Sequence, residues 1–129
     1  MEIKTFHGGV HPAEHKELSK ASPLTQLLPK GELVYMTNQH IGKPASPVVK
    51  KGDRVLAGQI IAEAGGFVSA NIVSSVSGTV KAVEPRKNAS GGSAMAIVVE
   101  NDGEYTLAEG VGVECDTNGL TGQEILSKV

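Results

Sequence analysis

Apolar residues along this chain come in short runs separated by turn-forming residues, the pattern of strands and not of long helices. The run ELVYMTN at 32–38 is rich in strand formers, and a second extended piece at 44–50 ends in the turn Lys51-Gly52-Asp53. Short strands are then expected at 60–63, 67–73, 79–83 and 95–100, each bounded by Gly, Ser, Asn or Pro. This spacing leaves no room for helical crossovers and predicts a mainly β sandwich or small barrel, not a parallel α/β sheet. Alternation and apolar runs nominate Val48, Val55, Ile60, Ile61, Val73, Val80, Val83, Ile97 and Val99 for the core.

Two segments depart from this pattern. Residues 1–30 are punctuated by Gly and Pro too densely for long regular structure, so an extended arm wrapping the domain is expected, with a turn or two of helix within 13–20. Near the other end Thr121 and Glu124 form a T-x-x-E capping box with Leu120 and Ile125 at staple positions, which predicts a helix starting at Gly122. It has a start signal and no stop signal. A helix of about eight residues needs tertiary packing to persist, so the chain is expected to continue past Val129.

Composition sharpens the fold more than the function. The 129 residues are 40% hydrophobic but only 3% aromatic, with 16 Gly and no Trp, so Val, Ile, Leu and Ala must build the core of one domain. Lys and Arg are spread singly at a formal net charge of -2, leaving no electrostatic footprint for a nucleic-acid partner. No apolar run approaches the ~20 residues that span a bilayer, and MEIKTFHGG does not resemble a signal peptide, so a soluble cytosolic chain is expected.

Chemistry is hard to assemble from these residues. The single cysteine, Cys115, excludes an intrachain disulfide and a four-thiolate iron-sulfur site, and is read as a small, partly buried residue. His7, His11 and His15 are spaced four apart, but Gly8, Gly9 and Pro12 break the helix that would give this spacing meaning for a metal. His40 ends a strand without a carboxylate or nucleophile partner in sequence, which leaves a general-base role unsupported. The stretch NASGGS at 88–93 precedes a strand-like run and so reads as a plain loop, not a phosphate cradle opening a helix. Glu100 and Asp102 fall on one face of a solvated strand end beside the turn Asn101-Asp102-Gly103.

The segment 49–83, VKKGDRVLAGQIIAEAGGFVSANIVSSVSGTVKAV, resembles the barrel-sandwich hybrid fold of biotinyl and lipoyl carriers. It shares their K-x-G-D-x-V-x-x-G-Q element and an S-x-x-x-G-x-V return strand. At the hairpin tip where carriers bear the modified lysine this chain has Phe67, and no lysine occurs between Lys51 and Lys81. A phenyl ring cannot serve as the amine nucleophile that acylation requires, so a swinging-arm function fails. Phe67 either packs on another domain from an exposed tip or lies in the core; the residues leave both open.

Nearly the whole chain is similar to the N-terminal region of the RnfC family, the C subunits of Rnf electron-transfer complexes. The resemblance rests on Phe6-His7-Gly8-Gly9-Val10-His11-Pro12 with Lys16-Glu17-Leu18, on Gln39-His40-Ile41-Gly42-Lys43-Pro44-Ala45, on Gly65-Gly66-Phe67-Val68-Ser69-Ala70, and on Leu120 to Leu126. It implies a barrel-sandwich hybrid at 31–119, an arm at 1–30, and at 120–129 the start of a helix leading to a flavin-binding domain. It also implies a peripheral host subunit on the cytoplasmic side of a membrane complex that exchanges electrons between NADH and ferredoxin and moves sodium or protons. FMN and two [4Fe-4S] clusters are expected in downstream domains of that host, and none in these residues, so the isolated chain should be colourless and bind no iron. This piece would then be non-catalytic within an oxidoreductase, contacting those domains and other complex subunits through His40 and the tip Gly65, Gly66, Phe67, Val68 and Ser69. The competing readings are the same module in a related reductase of cobalamin or amino-acid reduction, or a stand-alone carrier or small-ligand binder.

Overall fold

The computed structural model describes residues 8, 12–114 and 116–126; Phe6, His7, His11 and Cys115 lie outside them. Seven strands form two antiparallel sheets. The larger has the order β1 (Glu32–Met36), β7 (Ser93–Asn101), β6 (Gly78–Lys87), β3 (Arg54–Val55). The smaller has the order β2 (Ser46–Pro47), β4 (Ile60–Glu63), β5 (Ile72–Val73), and the one described helix, α1, covers Gly122–Leu126. The fold is mainly β, with the core between the sheets. Tyr35, Val55, Val80, Ile97 and Val99 meet Ala45, Ile61, Ala62, Ile72 and Val76 there, and Leu33, Val49, Val83 and Tyr105 pack at the margin.

Two β-bulges decide which residues face this core. Val80 pairs with Val99 while Ala82 pairs with Val98, so Lys81 is an extra residue on β6. Strict alternation from Val80 would turn Val83 outward; with the bulge, Val83 also meets the core. In the smaller sheet Ile60 opposes Val73 and Ala62 opposes Ile72, which makes Ile61 the extra residue and buries Ile61 and Ala62 consecutively. Three residues expected in the core are not there: Val48, Ile60 and Val73 are all roughly half exposed, while Ile61 and Ile72 face inward.

Lys81, turned outward by its bulge, pairs with Glu32. Because β7 lies between β1 and β6, this ion pair reaches across β7 on the face away from the core. It lies over the stretch where Val98 is buried despite being on that outer face. The pairing holds the Glu32 carboxyl below its ordinary value, through the Lys81 hydrogen bond first and its charge second.

Turn chemistry closes the ends of the sheets. Asp53 Oδ2 accepts the Lys50 N–H at 2.9 Å, and the Gly52 N–H reaches the Val80 carbonyl at 2.7 Å, fixing the entry to β3. At Gly78 the strands come so close that a Cβ would stand 2.0 Å from the Glu100 carbonyl oxygen, which is why glycine follows Ser77 in the return-strand motif. Asp102 is not merely a solvated strand end. It accepts from the Glu104 N–H (2.9 Å), the buried Ser77 hydroxyl (2.7 Å) and Arg54 (2.8 Å), and these partners, in that order, hold its carboxyl below the usual 3.8. Beyond it the chain runs beside residue 57, with Ala57 and Leu107 bridged in parallel.

The expected strand at 67–73 is paired only at Ile72–Val73, β6 runs on to Lys87, and β3 is hidden within turn-like sequence. At 88–92 a plain hairpin loop forms, closed by the Asn88 N–H on the Gly92 carbonyl at 3.0 Å. The arm is not wrapped on the domain in its described part: 12–28 is exposed throughout, and 17–20 makes a single turn. Contact begins at Pro29, whose carbonyl accepts from Asn101 Nδ2 at 2.7 Å and from the Tyr105 hydroxyl. Helix α1 starts where expected. Thr121 N–H and hydroxyl both reach Glu124 Oε2 at 2.7 Å, although no residue of α1 is buried.

The bulge at Ile61 leads to a comparison by urea unfolding. Ile97→Ala should cost about 2–5 kcal/mol, because its side chain is fully enclosed. Ile60→Ala, at a position 42% exposed, should cost less than about 1.5 kcal/mol. Equal losses would contradict the bulged register.

Candidate functional site

The residues singled out from the sequence, His40 and 65–69, come together at one end of the smaller sheet. Strands β4 and β5 are joined by a hairpin whose tip is Gly65 to Ser69, and the loop that follows β1 lies against it. At the base of the tip Asn71 Oδ1 accepts the Ala64 N–H at 2.8 Å. Ser69 Oγ accepts the Gly65 N–H at 2.9 Å and donates to the Lys43 carbonyl at 2.7 Å, so one hydroxyl ties the hairpin to itself and to the neighbouring loop. A third tie is the Lys43 N–H on the Val68 carbonyl at 2.9 Å.

Gly42 makes this contact possible. Its φ is +87°, and a Cβ there would lie 2.0 Å from the Val68 carbonyl oxygen. Both conditions admit only glycine. Sequence reasoning noted the loop 39–45 but missed Gly42 and Lys43 as partners of the tip, since no periodicity signals a contact between residues so far apart.

His40 has a positioning role. Its Nδ1 lies 2.9 Å from the Ile41 carbonyl and its Nε2 3.3 Å from the Ala70 nitrogen. A carbonyl can only accept and an amide N–H can only donate, so the two contacts suit the tautomer that carries its proton on Nδ1. Neither nitrogen is left over for a general base. Beside it runs a shallow groove of about 280 Å³ lined by Gln39, His40, Ala70, Asn71, Ile72 and Val73.

Phe67 projects from this fastened tip and is fully exposed, so it does not lie in the core of the described residues. Val68 is half exposed, and Ile41, next to Gly42, is exposed at 83%. Contiguous exposed apolar side chains are a feature of contact surfaces. Among the described residues no three or more His, Cys, Asp or Glu side chains are grouped to hold a metal ion. No described helix is long and apolar enough to cross a membrane.

Two small facing sheets, bulged strands and a fastened hairpin tip that presents Phe67 define a barrel-sandwich hybrid. Comparison with known proteins agrees and goes further. Residues 4–104 match the family described as the RnfC barrel sandwich hybrid domain, and the chain belongs to that family. It is 40% identical over 125 residues to the C subunit of the proton-translocating ferredoxin:NAD(+) oxidoreductase complex of Clostridium ljungdahlii, covering 96% of this chain and 27% of that protein. It is 45% identical over 109 residues to the Na(+)-translocating counterpart of Acetobacterium woodii, covering 83% of this chain and 25% of that protein. With the C subunit of the ion-translocating oxidoreductase complex of Rhodobacter capsulatus it shares 41% over 107 residues, covering 81% and 20%. The chain thus corresponds to the N-terminal domain of RnfC and spans about a quarter of the length of these curated relatives.

Gly42→Ala should release the tip. Amide exchange at Lys43 and Gly65, followed by NMR, is expected to accelerate at least about tenfold, with a stability loss of about 1–3 kcal/mol. Ser69→Ala should have the same direction and a smaller size. Unchanged exchange in both variants would show that the tip does not depend on these ties.

Proposed function

We propose that this chain is the docking module of a peripheral RnfC-type protein, holding that protein's electron-carrying domains in place without carrying a redox centre itself. The observation that carries this reading is Phe67, fully exposed on a tip whose backbone is fastened at three points. A surface already fixed in its bound shape loses little entropy on contact, which is what a permanent interdomain joint requires. In this reading His40, Gly65, Gly66, Phe67, Val68 and Ser69 form the joint with the flavin-binding domain. The arm to residue 30, the body 31–119 and the helix from 120 are successive parts of one module, and α1 begins the connection to that domain.

The Clostridium ljungdahlii and Acetobacterium woodii relatives belong to ferredoxin:NAD(+) oxidoreductase complexes that translocate protons and sodium ions respectively. By kinship we assign the whole host the same work: electrons exchanged between NADH and ferredoxin through FMN and two [4Fe-4S] clusters, on the cytoplasmic side of a membrane complex. These groups do not fit the residues here. A [4Fe-4S] cluster takes four thiolates and this chain has one cysteine, while the glycine-rich loop at 88–92 closes a hairpin instead of opening a helix. The cofactors therefore fall to the remaining domains, and this module's part is mechanical.

Phe67→Ser in the full-length protein is the direct test. Truncating a central aromatic anchor should cost about 2 kcal/mol, roughly 30-fold in association between this module and the remaining domains. The urea midpoint of the isolated module should not fall, since Phe67 supports no core contact. Association unchanged by the substitution would remove the tip from the joint.

A further inference from the structure

The exposed arm carries a feature that neither the fold nor the tip uses. Leu24 and Leu27 are 104% and 91% exposed, and Leu28 is 48% exposed. Their spacing is i, i+3, i+4, which on a helix forms one ridge. Ser22 and Pro23 precede them as an N-cap and a first helical residue, and Pro29 ends the run. The start signal and the leucine spacing favour a short helix, yet residues 23–30 have no helical hydrogen bonding, and the leucines take no part in the core of the described residues. A turn and a half of helix is too short to persist without a surface to pack on.

We propose that Ser22 to Leu28 coils into a short helix on contact and seats Leu24, Leu27 and Leu28 in an apolar groove of the polypeptide that follows this module in the same protein. The family match begins at residue 4 and so includes the arm, although its leucines contribute nothing to the core. The Pro29 carbonyl, held by Asn101 and Tyr105, anchors the segment at a fixed point of exit, beside a cleft of about 340 Å³ that Leu28 and Tyr105 help to line. Nearly three-quarters of the Clostridium ljungdahlii relative lies outside the matched region, and a covalently linked partner is present at far higher effective concentration than a separate polypeptide. Short helical ridges of leucine inserted in a groove are a recurrent mode of recognition, and ordering on contact explains why the ridge is unformed here. This inference rests on the reading that the chain is one module of a longer protein.

Hydrogen exchange by mass spectrometry on the full-length protein, purified away from other subunits, tests it. Peptides spanning 22–28 should exchange at least about tenfold more slowly than in the isolated module. Leu24→Ser with Leu27→Ser should remove that protection while leaving the sheet peptides unchanged. Gln26→Pro keeps every leucine but interrupts the coil, and should remove the protection too; protection that survives it would overturn the helical form. Fast exchange in the full-length protein would overturn the proposal, and so would protection gained only when other subunits are added, because the groove would then belong to them. A gene whose reading frame holds no further domain would instead refute the longer-protein reading on which the proposal stands.

Discussion

Tyr35 sets the terms on which the two sheets close. Among the described residues it is the one aromatic side chain counted in the buried cluster, with Tyr105 at its margin, in a chain with two Tyr, two Phe and no Trp. Its ring fills the space that Val, Ile and Ala leave, but its hydroxyl cannot be left unpaired inside. The Ser75 N–H donates to it at 3.0 Å and Ser75 Oγ lies at 2.9 Å, so the first strand of the larger sheet is pinned to the segment leaving the smaller one. Ser74, buried next door, turns its hydroxyl to the Val76 carbonyl at 2.7 Å and tightens the same corner. From this corner the chain enters β6, and Gly78 is pressed against Glu100 to start the longest strand pairing of the molecule.

The tip follows from the same economy. With so few large side chains, the end of the smaller sheet is held by backbone groups and short polar side chains, as at Gly42, Ser69 and Asn71. No bulky residue is needed inward, which frees Phe67 to point outward. In carriers the equivalent position presents a lysine for modification. Here the same scaffold presents an exposed ring, and in the proposed docking role the change from carrier is confined to the tip and leaves the sheets intact.

Much of this is legible in the sequence, and what is not has physical causes. The strands at 32–36, 60–63 and 95–100, the capping box at Thr121 and the carrier-like motifs all rest on local signals that the structure repeats. Alternation and apolar runs misplace Val48, Ile60 and Val73, since Ile61 and Ile72 are the residues that face the core, and nothing in the residues themselves marks the bulge that buries Ala62 beside Ile61. Strand β3 pairs over only two residues and its identity comes from Thr79 and Gly78 opposite. The arm reads as wrapped on the body because its Gly and Pro exclude long regular structure, but its leucines join no core among the described residues. At the candidate site the sequence identifies the tip and His40, and cannot show that Gly42 and Lys43 lock them together, since that contact is long-range.

The central claim, that the fastened tip is a joint within the longer protein, is most directly tested by placing a photo-crosslinking phenylalanine analogue at position 67 of the full-length chain. The account predicts crosslinks from residue 67 into the downstream domains of the same chain, at a yield well above that of the same analogue at Lys87 on the opposite hairpin. Equal yields from the two positions, or no intrachain crosslink from residue 67, would contradict it.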